Sequence, residues 1–361
     1  MQIDYTRKLD FNDVLIRPKR STLQSRKEVN LQRTFTGKHS RCNFSAVPII
    51  ASNMATGSFA MAEVFAQNNM LVAIHKFHSQ QDWLKASPEA LSASIYTIGM
   101  SEEEYQAFDE VRLALAASGK ITAPERLPLC IDIANGYTQR FAGFVRWVRE
   151  RCPQTLIMAG NVVTAEMVQE LILNGADFVK VGIGPGSECT TRLKTGVGYP
   201  QIAAAYECAD AAHGLGGGII LDGGMRCPGD VAKAFVANAD MVMLGGFFAG
   251  TDEQEGQLIT KRLLTNWIDE NGKQIIEEKK FKLFYGMSSE YAQRKHQDGL
   301  KDYRASEGRS EEVVYQGPVQ NIIDDLLGGL RSTGTYIGAA KIKHFGKCGT
   351  LIRVSRQHDR F

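Results

Sequence analysis

The sequence predicts a (β/α)8, or TIM, barrel with an insertion between the eighth strand and the last helix. Two observations predict it. Eight short apolar runs alternate with amphipathic stretches, the order of a parallel sheet with crossover helices. Several runs carry polar residues only at their C-terminal ends, as strands buried on both faces should. Eight strands suit a closed barrel better than an open doubly wound sheet. The 361 residues leave room for a barrel of about 250 residues and its insertions.

In chain order, residues 1–46 form an N-terminal segment expected to cap the bottom of the barrel. Strands are expected at Val47–Asn53, Leu71–Lys76, Ser94–Gly99, Leu129–Ala134, Leu156–Val162, Phe178–Gly184, Ile219–Gly224 and Met241–Gly246. Helical spacing fills the gaps. Gly57–Asn69 sets Phe59, Ala62, Phe65 and Ala66 on one face. Glu102–Ser118 does the same with Tyr105, Phe108, Val111 and Leu115, and Thr138–Arg151 with Phe141, Phe144, Val145 and Val148. Thr164–Asn174 opens on a threonine suited to an N-cap. Tyr199–His213 and Pro228–Ala237 follow, with Pro228 in a first turn, where its missing N–H costs nothing. The last apolar helix is Val319–Leu330. Before it, residues 250–317 are polar and include a Glu-Asn-Gly turn at 270–272. This insertion falls on the C-terminal face, where barrel active sites lie, and is expected to act as a lid. Residues 1–361 therefore read as one barrel domain.

Composition narrows the function. A formal net charge of +2 gives no electrostatic case for binding nucleic acid or a membrane surface. No apolar run approaches the roughly 18 residues needed to span a bilayer. The polar start, Met1–Asp10, lacks the apolar core of a signal peptide, so a cytoplasmic location is expected. Seven scattered cysteines without a CxxC pair suit a reducing compartment, with neither a disulfide framework nor a zinc-cysteine site.

Three constellations carry the chemistry. The first is Val181-Gly-Ile-Gly-Pro-Gly-Ser-Glu-Cys189-Thr-Thr191-Arg-Leu-Lys-Thr-Gly-Val-Gly-Tyr-Pro-Gln201, a βα loop directly after the sixth strand. Its glycines leave backbone carbonyls and N–H groups bare. A cysteine among them can be partly exposed and close to backbone dipoles, the conditions of a reactive thiolate. The plain alternative, a buried small hydrophobe, describes the other six cysteines better than Cys189. The second is a pair of strand-end turns, Leu221-Asp222-Gly223-Gly224 and Leu244-Gly245-Gly246. Loops after strands seven and eight bind phosphate through backbone N–H groups in many barrels, and Asp222 can accept from ribose hydroxyls. Phosphate beside a diol acceptor points to a nucleotide, against the alternative that Gly-Gly merely turns the chain. The third comprises Tyr285-Gly-Met-Ser-Ser-Glu290 and Tyr303-Arg-Ala-Ser-Glu-Gly308 in the insertion. They suit a lid over a polar ligand, but taken alone they also suit a solvated loop.

Together these segments resemble the IMP dehydrogenase/GMP reductase family, and its reductase branch in particular. Asp13-Val-Leu-Ile-Arg-Pro-Lys-Arg-Ser21, Ile131-Asp-Ile-Ala-Asn-Gly-Tyr137, Met158-Ala-Gly-Asn-Val-Val163 and Gly328-Gly-Leu-Arg-Ser332 add to the likeness, which covers nearly the whole chain. The regulatory domain pair usual in the dehydrogenase branch is not inserted here, and Arg-Ala-Ser-Glu-Gly is of the reductase type. The resemblance implies NADPH-dependent reduction of GMP to IMP and ammonia through a thioimidate on Cys189, with Thr191 and Glu307 as proton relay.

It further implies that Asp222, Gly223, Gly224, Gly245 and Gly246 hold ribose and phosphate. Gly286, Met287, Ser288, Arg304, Ala305, Ser306 and Gly308 would close on the nucleotide. The dinucleotide would meet Ser25, Arg26, Lys76, Asp132, Ile133, Ala134, Ile183, Gly184, Met287, Tyr303 and Arg304, with Ser332, Thr333, Gly334 and Thr335 completing that site. Gly184, Gly186, Cys189 and Arg192 resemble a monovalent-cation site, potassium by expectation, and the family implies a homotetramer. An IMP dehydrogenase without regulatory domains and a non-catalytic nucleotide-binding paralogue are the other readings; the intact Cys189, Thr191 and Glu307 set argues against the second. The chain departs from the family pattern at Ala55, where aspartate is usual, in the Ser94–Gly99 strand end, at Glu188 before the cysteine, and in the length of residues 250–285.

Overall fold

The computed structural model describes residues 3–270, 272–287, 289–296 and 307–355. Eight parallel strands close into a barrel: β1 (Ile49–Ala51), β2 (Leu71–Ile74), β3 (Ser94–Ile98), β4 (Leu129–Asp132), β5 (Ile157–Val162), β6 (Phe178–Val181), β7 (Gly218–Asp222) and β8 (Met241–Leu244). Each pairs with its sequence neighbours, and β8 closes on β1 through Val242↔Ile49 and Leu244↔Ala51. All eight expected strands are present, shorter at most ends because parallel pairing stops where the loops diverge.

The strands are apolar for a reason the structure makes plain. Ile50, Ala73, Ile95, Cys130, Met158, Ile220 and Met243 fill the barrel, while their strand neighbours pack outward against helices. From the N-terminal segment, the antiparallel pair Arg33–Thr36 and Asn43–Ala46 delivers Phe35 into this interior cluster. Phe35 is 5% exposed and lies edge-on to Phe178, the first residue of β6. The segment thus plugs the end at which the strands begin.

The crossover helices are α1 (Phe59–Gln67), α2 (Gln80–Lys85), α3 (Pro88–Ala93), α4 (Glu102–Ala117), α5 (Gln139–Arg151), α6 (Ala165–Leu173), α7 (Thr191–Thr195), α8 (Gln201–Gly214) and α9 (Pro228–Val236); α10 (Glu290–His296) lies in the insertion and α11 (Val319–Ile337) follows it. Serine caps start several of them: Ser58, Ser79, Ser87 and Ser101 each accept an N–H from the first turn. Helices α2 and α3 are too short for a periodic signal and were not expected. Thr164 occupies the N-cap of α6 but makes no capping bond; its hydroxyl accepts from Tyr137 at 3.3 Å instead. Helix α11 runs seven residues past the expected Leu330, although it carries Gly329 just before that point and Gly334 after it. These glycines serve packing: a Cβ on Gly329 would sit 2.7 Å from Pro228 Cβ, and one on Gly334 2.7 Å from Val29.

The insertion is a sheet rather than a loop. Strands β9 (Leu258–Ile268), β10 (Gln274–Tyr285) and β11 (Ser310–Val314) are antiparallel, and between β9 and β10 Asp269 N–H donates to Lys273 O. Charges fall in consecutive runs, Lys261-Arg262 on β9 and Glu277-Glu278-Lys279-Lys280 on β10, because much of this hairpin is exposed on both faces.

Candidate active site

At the C-terminal end of the barrel, a cavity of about 430 Å³ opens between the βα loops and the insertion. The loop after β6 forms one wall. It begins at Gly182, where a Cβ would lie 2.3 Å from the Asp222 carbonyl, so only glycine lets β6 and β7 approach this closely. The loop then reaches the insertion and pairs with it. Cys189 bridges Gly308, Thr190 N–H donates to Glu307 O at 2.8 Å, and Arg309 N–H donates to Glu188 O at 2.9 Å.

This pairing creates a short chain of side chains. Cys189 Sγ lies 3.2 Å from Thr191 Oγ1, which donates to Glu307 Oε2 at 2.7 Å. A thiol, a hydroxyl and a carboxylate thus stand in line on the cavity wall, although 116 residues separate the last two in sequence. Cys189 is half-buried, whereas burial pushes the thiols of Cys130 and Cys208 up to about 12. Those two stay protonated near neutral pH and take no part in nucleophilic chemistry.

The cavity is also lined by Asp222, Gly223 and Gly224 at the end of β7 and by Gly245 and Gly246 at the end of β8. Gly223 and Gly224 both have left-handed backbones, φ 81° and 85°, which turn the chain sharply after Asp222. The Asp222 carboxylate accepts from Asn161 Nδ2 at 2.9 Å and faces Lys180 Nζ at 3.4 Å, and Gln201 Nε2 donates to its carbonyl at 3.0 Å. Lys180 is 1% exposed and also pairs with Asp132. Burial alone would raise the Asp132 carboxyl, but the Lys180 charge and hydrogen bond, with the Asn53 amide at 2.9 Å, hold it below the usual carboxylate range. Lys180 therefore fixes the aspartates of β4 and β7 together beneath the cavity.

Of the expected site residues, Asp132, Ile133, Ala134, Ile183, Gly184, Gly186, Cys189, Thr191, Asp222, Gly223, Gly224, Gly245, Gly246, Gly286, Met287, Glu307 and Gly308 line this one cavity. Arg192 lies behind it, its side chain over Gly184 and donating to Tyr199 O. Lys76 is off the cavity, paired with Glu104 at 2.6 Å. Ser25 caps a short turn that includes Arg26, and the segment just after it, at Val29, packs on Gly334 of α11. Ser25, Arg26, Ser332, Thr333, Gly334 and Thr335 therefore form a separate region, and none lines the cavity. Ser288, Tyr303, Arg304, Ala305 and Ser306 lie outside the described residues.

Sequence reasoning missed Asn53, Asn161, Lys180 and Gln201. The signal for Lys180 was present: a lone lysine in Phe178-Val-Lys-Val181, a strand otherwise apolar on both faces. Ala55 is 1% exposed in an apolar cluster with Phe284, Tyr285 and Ala292, so the usual aspartate has no polar setting here. Glu188 is 5% exposed; burial raises its carboxyl, opposed by Arg309, whose Nε stands at 3.5 Å. It adds an ionic contact between the cysteine loop and the insertion.

The fold and site define a (β/α)8-barrel protein that gathers a thiol, a hydroxyl, a carboxylate and two glycine turns at the C-terminal ends of its strands, where barrel enzymes do their chemistry. Comparison with known proteins makes this specific. Residues 8–359 match the family described as "IMP dehydrogenase / GMP reductase domain". The chain is 52% identical to human "GMP reductase 1" over 99% of its own length and 98% of that protein, and 51% identical to the mouse protein with the same coverage. It is 52% identical to "GMP reductase" of Yersinia pestis (strain Pestoides F) over 100% of this chain and 99% of that one. The chain belongs to the IMP dehydrogenase/GMP reductase family. No helix of the described residues is long and apolar enough to cross a membrane.

Proposed function

We propose that this protein is a GMP reductase, an oxidoreductase that converts GMP to IMP and ammonia in purine nucleotide interconversion, working in the cytoplasm. The observation that carries the reading is the Cys189–Thr191–Glu307 line inside the cavity that also holds Asp222 and both glycine turns. The reductase names of relatives matched over almost their entire length support it.

Cys189 is the nucleophile. Its proton passes through Thr191 to Glu307, and the sulfur adds to C2 of the guanine ring. Glu307 returns the proton to the 2-amino group, which leaves as ammonia, and the base stays attached as a thioimidate. NADPH, when bound, supplies the hydride that replaces sulfur at C2. Asp222 accepts from the ribose hydroxyls, held in place by Asn161 and Lys180. The backbone at Gly223, Gly224, Gly245 and Gly246 takes the phosphate. From the insertion, Gly286, Met287, Ser288, Arg304, Ala305, Ser306 and Gly308 cover the nucleotide.

The residues fit the cofactor in part. Asp132, Ile133, Ala134, Ile183, Gly184 and Met287 border the same cavity as Cys189 and would hold the dinucleotide there. Lys76, Ser25, Arg26 and residues 332–335 do not reach it within one chain. Their separation supports an assembly in which a second copy brings the two regions together, in keeping with a homotetramer. For potassium, the donor set is chemically apt: backbone carbonyls of Gly184, Gly186 and Cys189, with Arg192 closing the loop. Gly186 O already accepts Cys189 N–H at 3.2 Å and keeps one lone pair for a cation.

The test is a purified-enzyme assay. GMP should trigger NADPH oxidation with stoichiometric IMP and ammonia, and IMP with NAD+ should give no comparable turnover. The Cys189→Ala variant should lose several orders of magnitude in rate while still binding GMP. Retention of more than about a hundredth of the parent rate would exclude covalent catalysis by this residue.

A further inference from the structure

A second cluster of ligand-type side chains lies on the same face of the barrel, outside the cavity. His75 and His78 follow the C-terminal end of β2, and Glu255 opens the insertion after β8. His75 Nε2 stands 2.8 Å from Glu255 Oε2, and His78 Nε2 stands 3.0 Å from Oε1 of the same carboxylate. The two imidazoles stack, with centroids 4.1 Å apart and planes 17° from parallel. One donor atom from each of the three residues falls within 4.8 Å of the others.

We propose that His75, His78 and Glu255 form a binding site for a first-row transition-metal dication, zinc(II) above all, that staples the loop after β2 to the base of the insertion. Two imidazole nitrogens and one carboxylate oxygen are a zinc-type ligand set, with a remaining position for water. Calcium and magnesium prefer all-oxygen shells and are disfavoured by the same atoms. The inference does not depend on the reductase reading, because no step of that reaction uses these three residues.

Several features favour a metal over a simple ion pair. The histidine side chains are only 8% and 15% exposed, so the rings are largely cut off from water. His78 Nε2 is buried and close to Oε1, yet lacks the geometry of a hydrogen bond. On its far side, Asp82 Oδ2 lies 3.9 Å from His78 Nδ1, a charge contact beyond hydrogen-bond reach. His75 accepts Phe77 N–H at Nδ1, at 3.3 Å, which puts its ring proton on Nε2, toward Glu255. A metal takes that proton's place; the ring proton moves to Nδ1 and the long Phe77 contact is given up.

The third ligand is held in position. Glu255 N–H donates to Ala55 O at 2.9 Å, while its neighbour Glu253 accepts Ser58 Oγ at its carbonyl and Val319 N–H at its carboxylate.

The experiment uses the full chain carrying Cys189→Ala, which removes the cavity thiol as a rival ligand; Cys42, Cys227 and Cys348 are also accessible but are common to every variant compared. The protein is stripped with a chelator and titrated with zinc chloride by calorimetry, and with cobalt(II) chloride as a spectroscopic reporter. One equivalent should bind with micromolar affinity or tighter, with cobalt d–d bands and a raised melting temperature in zinc. His78→Phe and Glu255→Gln should each weaken binding by more than the roughly 10–100-fold that loss of an outer-shell partner costs. Should either variant fold poorly by circular dichroism, zinc-induced shifts of the His75 and His78 ring resonances in the Cys189→Ala chain decide the matter. Absence of one-to-one binding, equal binding in both folded variants, or unmoved histidine resonances would overturn the proposal.

Discussion

At the residue scale, the proposed chemistry rests on a hydroxyl between a thiol and a carboxylate. Thr191 Oγ1 is 3.2 Å from Cys189 Sγ and 2.7 Å from Glu307 Oε2, so one proton can pass in either direction without any group moving far. Loss of an amine needs this proton; hydride transfer does not. Glu307→Gln keeps the size and the hydrogen bond but removes the acid. It should slow thioimidate formation from GMP by roughly 10²–10⁴-fold and leave the reverse hydride step, from IMP and NADP+, much less affected. Rapid-mixing kinetics separate the two half-reactions. Equal slowing of both would make Glu307 a positioning group and refute the relay. Lys180 shows the other kind of residue, one that acts through neighbours: it touches both Asp132 and Asp222 from beneath the cavity.

At the element scale, the site depends on two close approaches. The loop after β6 pairs with residues 307–309, so the cysteine and its acid are held by backbone hydrogen bonds rather than by side chains alone. On the other side, Gly182 lets β6 lie against the end of β7. A methyl group added there would meet the Asp222 carbonyl at 2.3 Å, and backbone on both strands must shift. Gly182→Ala should therefore destabilise the protein by about 1–3 kcal/mol in denaturant unfolding. It should also raise the KM for GMP, because Asp222 moves with its carbonyl. An unchanged midpoint together with an unchanged KM would show that the seam is looser than drawn here.

At the scale of the whole molecule, the barrel buries its strands and leaves one conspicuous extension. The β9–β10 hairpin exposes Leu264, Trp267 and Ile268 to 68%, 75% and 66% at its far end, and a two-stranded hairpin is marginally stable by itself in water. The residues expected to meet the dinucleotide are also divided between the cavity and the region around Ser25 and α11. Both features call for a second copy, and we expect a homotetramer. Multi-angle light scattering at micromolar concentration checks this; a monomer mass with full activity would refute it.

The sequence alone determined the barrel, because its eight runs are apolar on both faces and only burial on both faces explains that. It also marked Cys189 and the paired glycine turns, whose local chemistry is visible in ten or twenty residues. What only the tertiary structure decided is everything that joins distant segments. The insertion read as a polar loop, since exposed strands carry charges and lose the apolar alternation by which strands are recognised. Helix α11 read as ending early, since glycine is a helix breaker unless a neighbour such as Pro228 or Val29 needs the space. Lys180 on β6, Asn161 on β5 and Asn53 in the loop after β1 acquire meaning only when closure of the barrel points them at the same two aspartates. His75, His78 and Glu255 likewise meet only because the chain returns to the same rim 180 residues later, a contact made by closure of the fold and by no local pattern.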